Sequence, residues 1–358
     1  MKIIDWYIIR KFLGTFFYAI ALLAIIIIIF DLSEKIDDFI EKDAPLKAII
    51  FDYYLNFIPY LVNMFSSLFT FIAVIFFTSR MATNTEIIAI LSSGISFWRL
   101  MRPYLISATL LGLLSFALAS YIIPVTNRSL FAFERTYIKD QKRNHQANIH
   151  MQINPGVYVY VERFNSFTDA GSKFSIEKID STGLYYKLTA EQIKYDSINK
   201  IWSIINYQVR QIDSIGERLS SGSQIDTVMN MVPDDFVIDV DRIKVLTSPE
   251  LNEVIAIEKM KGSGAVIAYQ VEKHSRIAFP FANIILAIIG VSVSSRKIRG
   301  GTGLHLGIGL TLTFSYVLFM QISTVYGVYG GLPPVIATWL PNLFFGIMAI
   351  FLIRNAPK

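Results

Sequence analysis

The stretch from Arg80 to Arg102, between two apolar runs, holds the residues best suited to acting on a partner. Ile87, Leu91, Ile95 and Trp98 recur at intervals of four, four and three, the spacing that gathers side chains on one helix face. Glu86 opens the stretch and Gly94 follows eight residues later. Two roles stand open. Thr83-Asn-Thr-Glu86 fits a capping box, with the glutamate returning to the N-cap amide, and Gly94 fits a helix end. Alternatively, the apolar stripe and its carboxylate face a lipid surface or a protein groove. A second set is cationic. Lys35 and Lys42 lie seven residues apart beyond the first apolar run, as do Arg128 and Arg135 beyond the third, so each pair shares a helix face. Such pairs hold the phosphates of an anionic lipid, or they are snorkelling and solvated side chains beside acids.

Other chemistry is excluded by residue type. There is no G-x-x-x-x-G-K-[ST] phosphate loop, so ATP hydrolysis, if it drives this chain, belongs to a partner. His145, His150, His274 and His305 are scattered, without ligand-like pairing. The acidic run Pro233 to Asp241 lacks the glycine and closing glutamate of a calcium loop. With no cysteine, thiolate metal sites and a cysteine nucleophile are excluded as well. No catalytic residue, no metal and no bound cofactor is assigned.

The elements that position these residues are long and apolar. Of 358 residues, 53% are hydrophobic and 17% charged, against roughly 25% charged in soluble domains. Phe12 to Phe30 carries no charge, nor do Tyr53 to Ser79, Pro103 to Asn127 and Ile277 to Ser295. Each spans a hydrocarbon core of about 30 Å as a helix. The charge-free run Gly300 to Ile353 is too long for one span and is broken by Tyr326-Gly-Val-Tyr-Gly-Gly-Leu-Pro-Pro334, giving six spans in all. The first run is followed by Asp31 and Glu34, without a small-residue cleavage site, and is expected to be a retained helix. No span has an acid or base in its core, which disfavours an ion-driven carrier.

Charge sets the topology. Lys2, Arg10, Lys11, Arg80, Arg99, Arg102, Arg296, Lys297, Arg299, Arg354 and Lys358 fall on one side, with only Asp5 and Glu86 against them. Both termini are therefore expected in the cytoplasm and the 124 to 275 insert outside. The net charge of +5 and the pI near 9.1 then record topology and require no nucleic acid. The insert holds 18 Lys and Arg against 19 Asp and Glu. Val157 to Val161, Lys173 to Asp180 and Ile201 to Val209 alternate as strands, separated by turn signals at Asp169, Ser181 and Asp196. A sandwich or jelly roll follows, and Pro249 to Lys261 reads as a helix returning to the fourth span. The expected fold class is a polytopic α-helical membrane protein of six transmembrane helices with an inserted all-β, jelly-roll-like periplasmic domain. Its divisions are 1–127, with an amphipathic helix at about 83–100, 128–272 and 273–358.

Taken together, these motifs resemble the lipopolysaccharide export permeases of the LptF/LptG family. The carriers are Thr85-Glu-Ile-Ile-Ala-Ile-Leu-Ser-Ser-Gly94, His274-Ser-Arg-Ile-Ala-Phe-Pro-Phe-Ala282 with Arg296-Lys-Ile-Arg-Gly-Gly301, Val325 to Val335, Leu340-Pro-Asn342, Ala190 to Asp196 with Trp202, and Ser248-Pro-Glu-Leu251. The double-proline hairpin and Lys35 with Lys42 resemble the LptG member more than LptF. The resemblance implies a non-catalytic inner-membrane permease of a Gram-negative exporter that passes lipopolysaccharide to a periplasmic bridge toward the outer membrane. Its implied partners are a cassette ATPase dimer that binds the ATP, a paralogous LptF-like permease, a single-span LptC-like protein and an LptA-like bridge. It further implies that Glu86, Ile87, Ile90, Leu91 and Gly94 couple to the ATPase, and that Lys35 and Lys42 meet lipid A phosphates at a gate. Arg128 and Arg135 stand out of register with that member's basic pair, where Phe131 and Glu134 fall, and remain candidates on charge and spacing. Phe65 and Phe69, in the phenylalanine-rich second span, are expected to line an apolar cavity. The competing readings are a permease of another ATPase-coupled envelope system, such as lipoprotein release, which resembles a four-span layout, and a lipid-modifying membrane enzyme, which needs an acid-base pair or nucleophile.

Overall fold

The computed structural model describes residues 3–138, 146–165, 167–181, 183–213, 216–236, 240–260, 262–295 and 301–355. Lys2, His145, the basic turn 296–300, Lys358 and the centre of the acidic run at 237–239 lie outside the described residues, as does the side chain of His305. The chain divides into two compact units, 1–138 with 244–248 and 270–358, and 139–243 with 249–269.

The first unit is helical. Among the described residues six helices are long and apolar enough to cross a bilayer: α1 (Ile3–Glu41), α2 (Leu46–Thr83), α4 (Phe97–Tyr137), α7 (Val266–Ser294), α8 (Gly301–Tyr329) and α9 (Pro334–Arg354). The short α3 (Glu86–Ser92) joins α2 to α4. The expected divisions at 127/128 and 272/273 fall inside α4 and α7, because these helices continue well past their charge-free stretches. Two π-helical stretches interrupt the regular turns, Ile49–Tyr54 in α2 and Leu118–Ile122 in α4. The second precedes Pro124, whose missing N–H and ring disturb the preceding turn.

One apolar cluster unites α1, α2, α3, α4 and α7 through Phe12, Phe16, Val74, Met81, Ile87, Met101, Tyr104 and Val291. A second joins α2, α7, α8 and α9 around Phe71, Leu286, Tyr316 and Phe345. Phe71 and Phe77 are thus buried in separate clusters of the chain itself, whereas Phe76 is exposed. Close approach of α8 to α2 requires Gly309, where an added Cβ would meet Phe71 Cε1 at 2.6 Å and the Ile75 Cδ1 atom. Some interior polar groups pair across helices: Asn283 Oδ1 accepts from Thr70 Oγ1 at 2.8 Å and Ser66 Oγ at 3.1 Å, and Asn342 Oδ1 accepts from Tyr316 at 2.8 Å.

The second unit is the inserted β domain. Strands β1 (Gln146–Asn154), β2 (Val157–Asn165), β3 (Ala170–Asp180), β4 (Gly183–Asp196), β5 (Ile201–Asp213) and β6 (Gly216–Thr227) form one antiparallel sheet in sequential order. The all-β insert stands, but its connectivity is a meander, and β1 does not pair with β6 to close it. The physical reason is the short connections between consecutive strands, as at Asp196, whose carboxylate accepts from the Ile198 amide at 2.9 Å and Asn199 Nδ2 at 2.8 Å.

The apolar period of this sheet has a fault line. Core-facing residues run Val159, Val161, Phe164 in β2 and Gly171, Phe174, Ile176 in β3. In β4 they run Leu188, Ala190, Ile193, and in β5 Trp202, Ile204, then the half-buried Tyr207. Each strand therefore steps by three once instead of by two. Cross-strand pairing aligns the steps, since Val161 faces Phe174, Phe174 faces Ala190, and Ala190 faces Tyr207. Asn148, Lys173 and Asn206 take left-handed backbone along this row, at φ of 56°, 51° and 53°, and reset which side chains face inward. The covered face is closed by residues 229–236, where Trp202 Nε1 donates to the Met231 carbonyl at 3.0 Å and Phe236 stacks on Phe164 at 4.8 Å. Two further helices follow, α5 (Val240–Lys244) and α6 (Ser248–Met260).

Candidate functional site

The candidate residues gather at two ends of the helical unit. At one end α2 stops at Thr83 and the chain reverses through Thr85 at φ 63° before α3 begins at Glu86. No capping box forms. Thr83 still belongs to α2, and its hydroxyl donates to the Ser79 carbonyl at 2.9 Å, while Glu86 is the first residue of α3. Among the described residues the Glu86 carboxylate accepts a long contact from Asn84 Nδ2, at 3.4 Å. The backbone N–H groups of α3 thus make no use of it as a cap, and it stands half-buried at a helix start, where an anion is favoured.

The amphipathic stripe is shorter than its periodicity implied. Gly94 at φ 84° ends α3 in the left-handed region, and Ser96, whose hydroxyl accepts from the Arg99 amide at 3.3 Å, starts α4. Ile95 and Trp98 therefore lie beyond α3, and Trp98 is exposed. Ile87 is buried, and Ile90 and Leu91 pack beside it on the cluster shared with α1, α2, α4 and α7. Ile88 is left on the outer face, 51% exposed. At the same end Arg99 donates to both carboxylate oxygens of the buried Asp5, each at 2.7 Å, in a fork-to-fork pair that spacing alone did not single out.

At the opposite end the basic residues meet an aromatic cluster of Phe39, Tyr53, Tyr54 and Phe133. Lys35 Nζ donates to Asp31 Oδ1 at 2.6 Å and contacts the Tyr53 hydroxyl, with the Tyr53 ring centroid 4.9 Å away. Lys42 Nζ lies 3.4 Å from the carbonyl of Ile138, just past the C-terminus of α4, where a cation complements the helix dipole. Arg135 stands exposed in the last turn of α4. Arg128 reaches a different partner, donating through Nε to the Val245 carbonyl at 3.1 Å. Asn127 and Arg276 hold the neighbouring carbonyls of Lys244 and Leu246, at 3.2 and 2.8 Å. The structure thus brings Lys35, Lys42 and Arg135 near the joined ends of α1, α2 and α4, and sets Arg128 to binding the segment before α6. Phe65 is half-buried, and Phe69 packs partly on the cluster that holds Phe12 and Phe16.

Six apolar helices, a β sheet inserted between the third and fourth, and a short connector seated on the helix core define a polytopic membrane protein with an inserted β domain. The family described as lipopolysaccharide export system permease LptF/LptG matches residues 6–355, and the chain belongs to that family. It is accordingly a lipopolysaccharide export permease, a transporter subunit of multi-pass inner-membrane type. No individually curated protein matches it significantly.

Proposed function

We propose that this chain is the LptG-like half of a permease pair, opposite an LptF-like paralogue, driven by a cassette ATPase dimer that docks on α3. The observation that carries this reading is the seating of α3. Ile87, Ile90 and Leu91 bind it to a cluster shared by four spanning helices, while the half-buried Glu86, outside that cluster, is the carboxylate we assign to the partner. Displacement of α3 by a nucleotide-driven subunit would move α1, α2, α4 and α7 together, because close-packed side chains transmit rather than absorb such a shift. Gly94 supplies the bend that lets α3 tilt against α4.

In this reading the termini are cytoplasmic, by the excess of basic residues on their side, and the β domain is periplasmic. Lys35 and Lys42, with Arg128 and Arg135 further along, offer cations to lipid A phosphates at the outer end, and Phe65 and Phe69 contribute to the apolar path of the acyl chains. The β domain passes the lipid on toward an LptC-like protein and an LptA-like bridge. The test is Glu86→Lys in the full complex. Loss of the ATPase on co-purification supports the assignment, and full retention with surface lipopolysaccharide unchanged overturns it.

A further inference from the structure

Lys35 is already occupied. Its ammonium lies against Asp31 one helical turn earlier, 2.6 Å from Oδ1, in the Asp-before-Lys order that suits an i,i+4 pair. The side chains are 22% and 13% exposed, so the pair is only weakly screened. Tyr53, fully buried, completes the group: its hydroxyl touches Lys35 and lies 3.0 Å from Asp31 Oδ2 and 3.3 Å from Oδ1. Tyr53 sits in the π-helical stretch Ile49–Tyr54, and such local widening is frequent at functional positions.

We propose that Asp31 and Tyr53 set a charge threshold at Lys35, so that a phosphomonoester headgroup takes the ammonium and a phosphodiester lipid does not. The proposal rests on the reading of Lys35 as a phosphate-binding residue. A phosphodiester and the Asp31 carboxylate each carry one negative charge, and the carboxylate holds its place by being on the same helix. A phosphomonoester carries about −1.5 to −2 and presents three acceptor oxygens, so it outcompetes the carboxylate. When Lys35 swings to the phosphate, Tyr53 donates to Asp31, which is not left as an unpaired buried charge. When the lipid departs, Asp31 recovers Lys35, and the gate does not retain bilayer anions.

The experiment uses the purified complex in nanodiscs of phosphatidylglycerol carrying lipid A, with bound lipids counted by native mass spectrometry. Wild type is expected to enrich lipid A over phosphatidylglycerol. Asp31→Asn should cut that preference about five-fold by admitting the phosphodiester, the factor expected for one modest ion pair. Tyr53→Phe keeps the ion pair but removes the hydroxyl that receives Asp31, and should lower lipid A occupancy about two- to five-fold. An unchanged preference in Asp31→Asn, or unchanged occupancy in Tyr53→Phe, overturns the threshold. If Lys35→Ala lowers lipid A binding while those two variants do nothing, the phosphate role stands and only the threshold falls. If Lys35→Ala also leaves lipid A binding intact, the phosphate role falls too.

Discussion

Arg99 grips both carboxylate oxygens of Asp5 at 2.7 Å, joining the first turn of α1 to the first turn of α4 across 94 positions of sequence. Leu100 and Met101 of the same turn of α4 enter the core cluster with Ile87 of α3. The pair therefore fixes the frame against which α3 would be pushed. Removing either partner leaves the other charge without its fork. We expect Asp5→Ala to cost about 1 to 3 kcal/mol, less than a fully buried pair because Arg99 is partly exposed, read as a lowered melting temperature of the detergent-solubilised protein. The swapped pair Asp5→Arg with Arg99→Asp should recover part of the loss, and no recovery would assign the effect to packing.

Glu86 and Ile87 are neighbours with opposite expected behaviour. Glu86 is half-buried and outside the core cluster, so Glu86→Lys should change the melting temperature less than a core substitution while abolishing ATPase retention. Ile87→Asn buries an amide in the cluster and should destabilise the chain by about 1 to 3 kcal/mol, measured by thermal denaturation. If both variants melt alike and both keep the ATPase, α3 is not the docking element.

How much of this was legible follows from range. The spans were visible because charge is absent over lengths that only a bilayer explains. β2, β3 and β5 were visible where they alternate, β4 was not read as a strand although it shares their three-residue step, and β6 was hidden by its polar, exposed sequence. The α3 stripe was overextended because periodicity ran on through Gly94 while the backbone did not. The capping box failed because Thr83 had not yet left α2. The pairs Asp5 with Arg99 and Lys35 with Tyr53 had no local signal, since their partners are remote in sequence.

Gly309 offers a packing test. Gly309→Val would drive side-chain atoms into Phe71 and Ile75, separating α8 from α2. A cost of about 1 to 3 kcal/mol is expected, seen as a lower midpoint in thermal unfolding. Phe71→Ala in the same chain opens the space and should restore part of it, and strictly additive losses would contradict direct contact.

Within the β domain, Trp202→Phe keeps ring packing against Phe164 and Phe236 but loses the bond to the Met231 carbonyl. A loss of about 1 kcal/mol is expected, against about 3 to 5 kcal/mol for Trp202→Ala. Protease resistance of residues 229–236 in the full chain reports both. Equal protection in all three proteins would show that the segment is held by something other than Trp202.

If a separate ATPase moves this permease through α3, as proposed, ATPase and lipid travel with the chain. Native purification with mass spectrometry of co-purifying chains and lipids tests this proposal most directly. A second permease chain, a cassette ATPase dimer and bound lipopolysaccharide are expected, with the ATPase lost in Glu86→Lys. A chain that purifies with lipid but without any ATPase, and whose lipid is released without ATP, would contradict it.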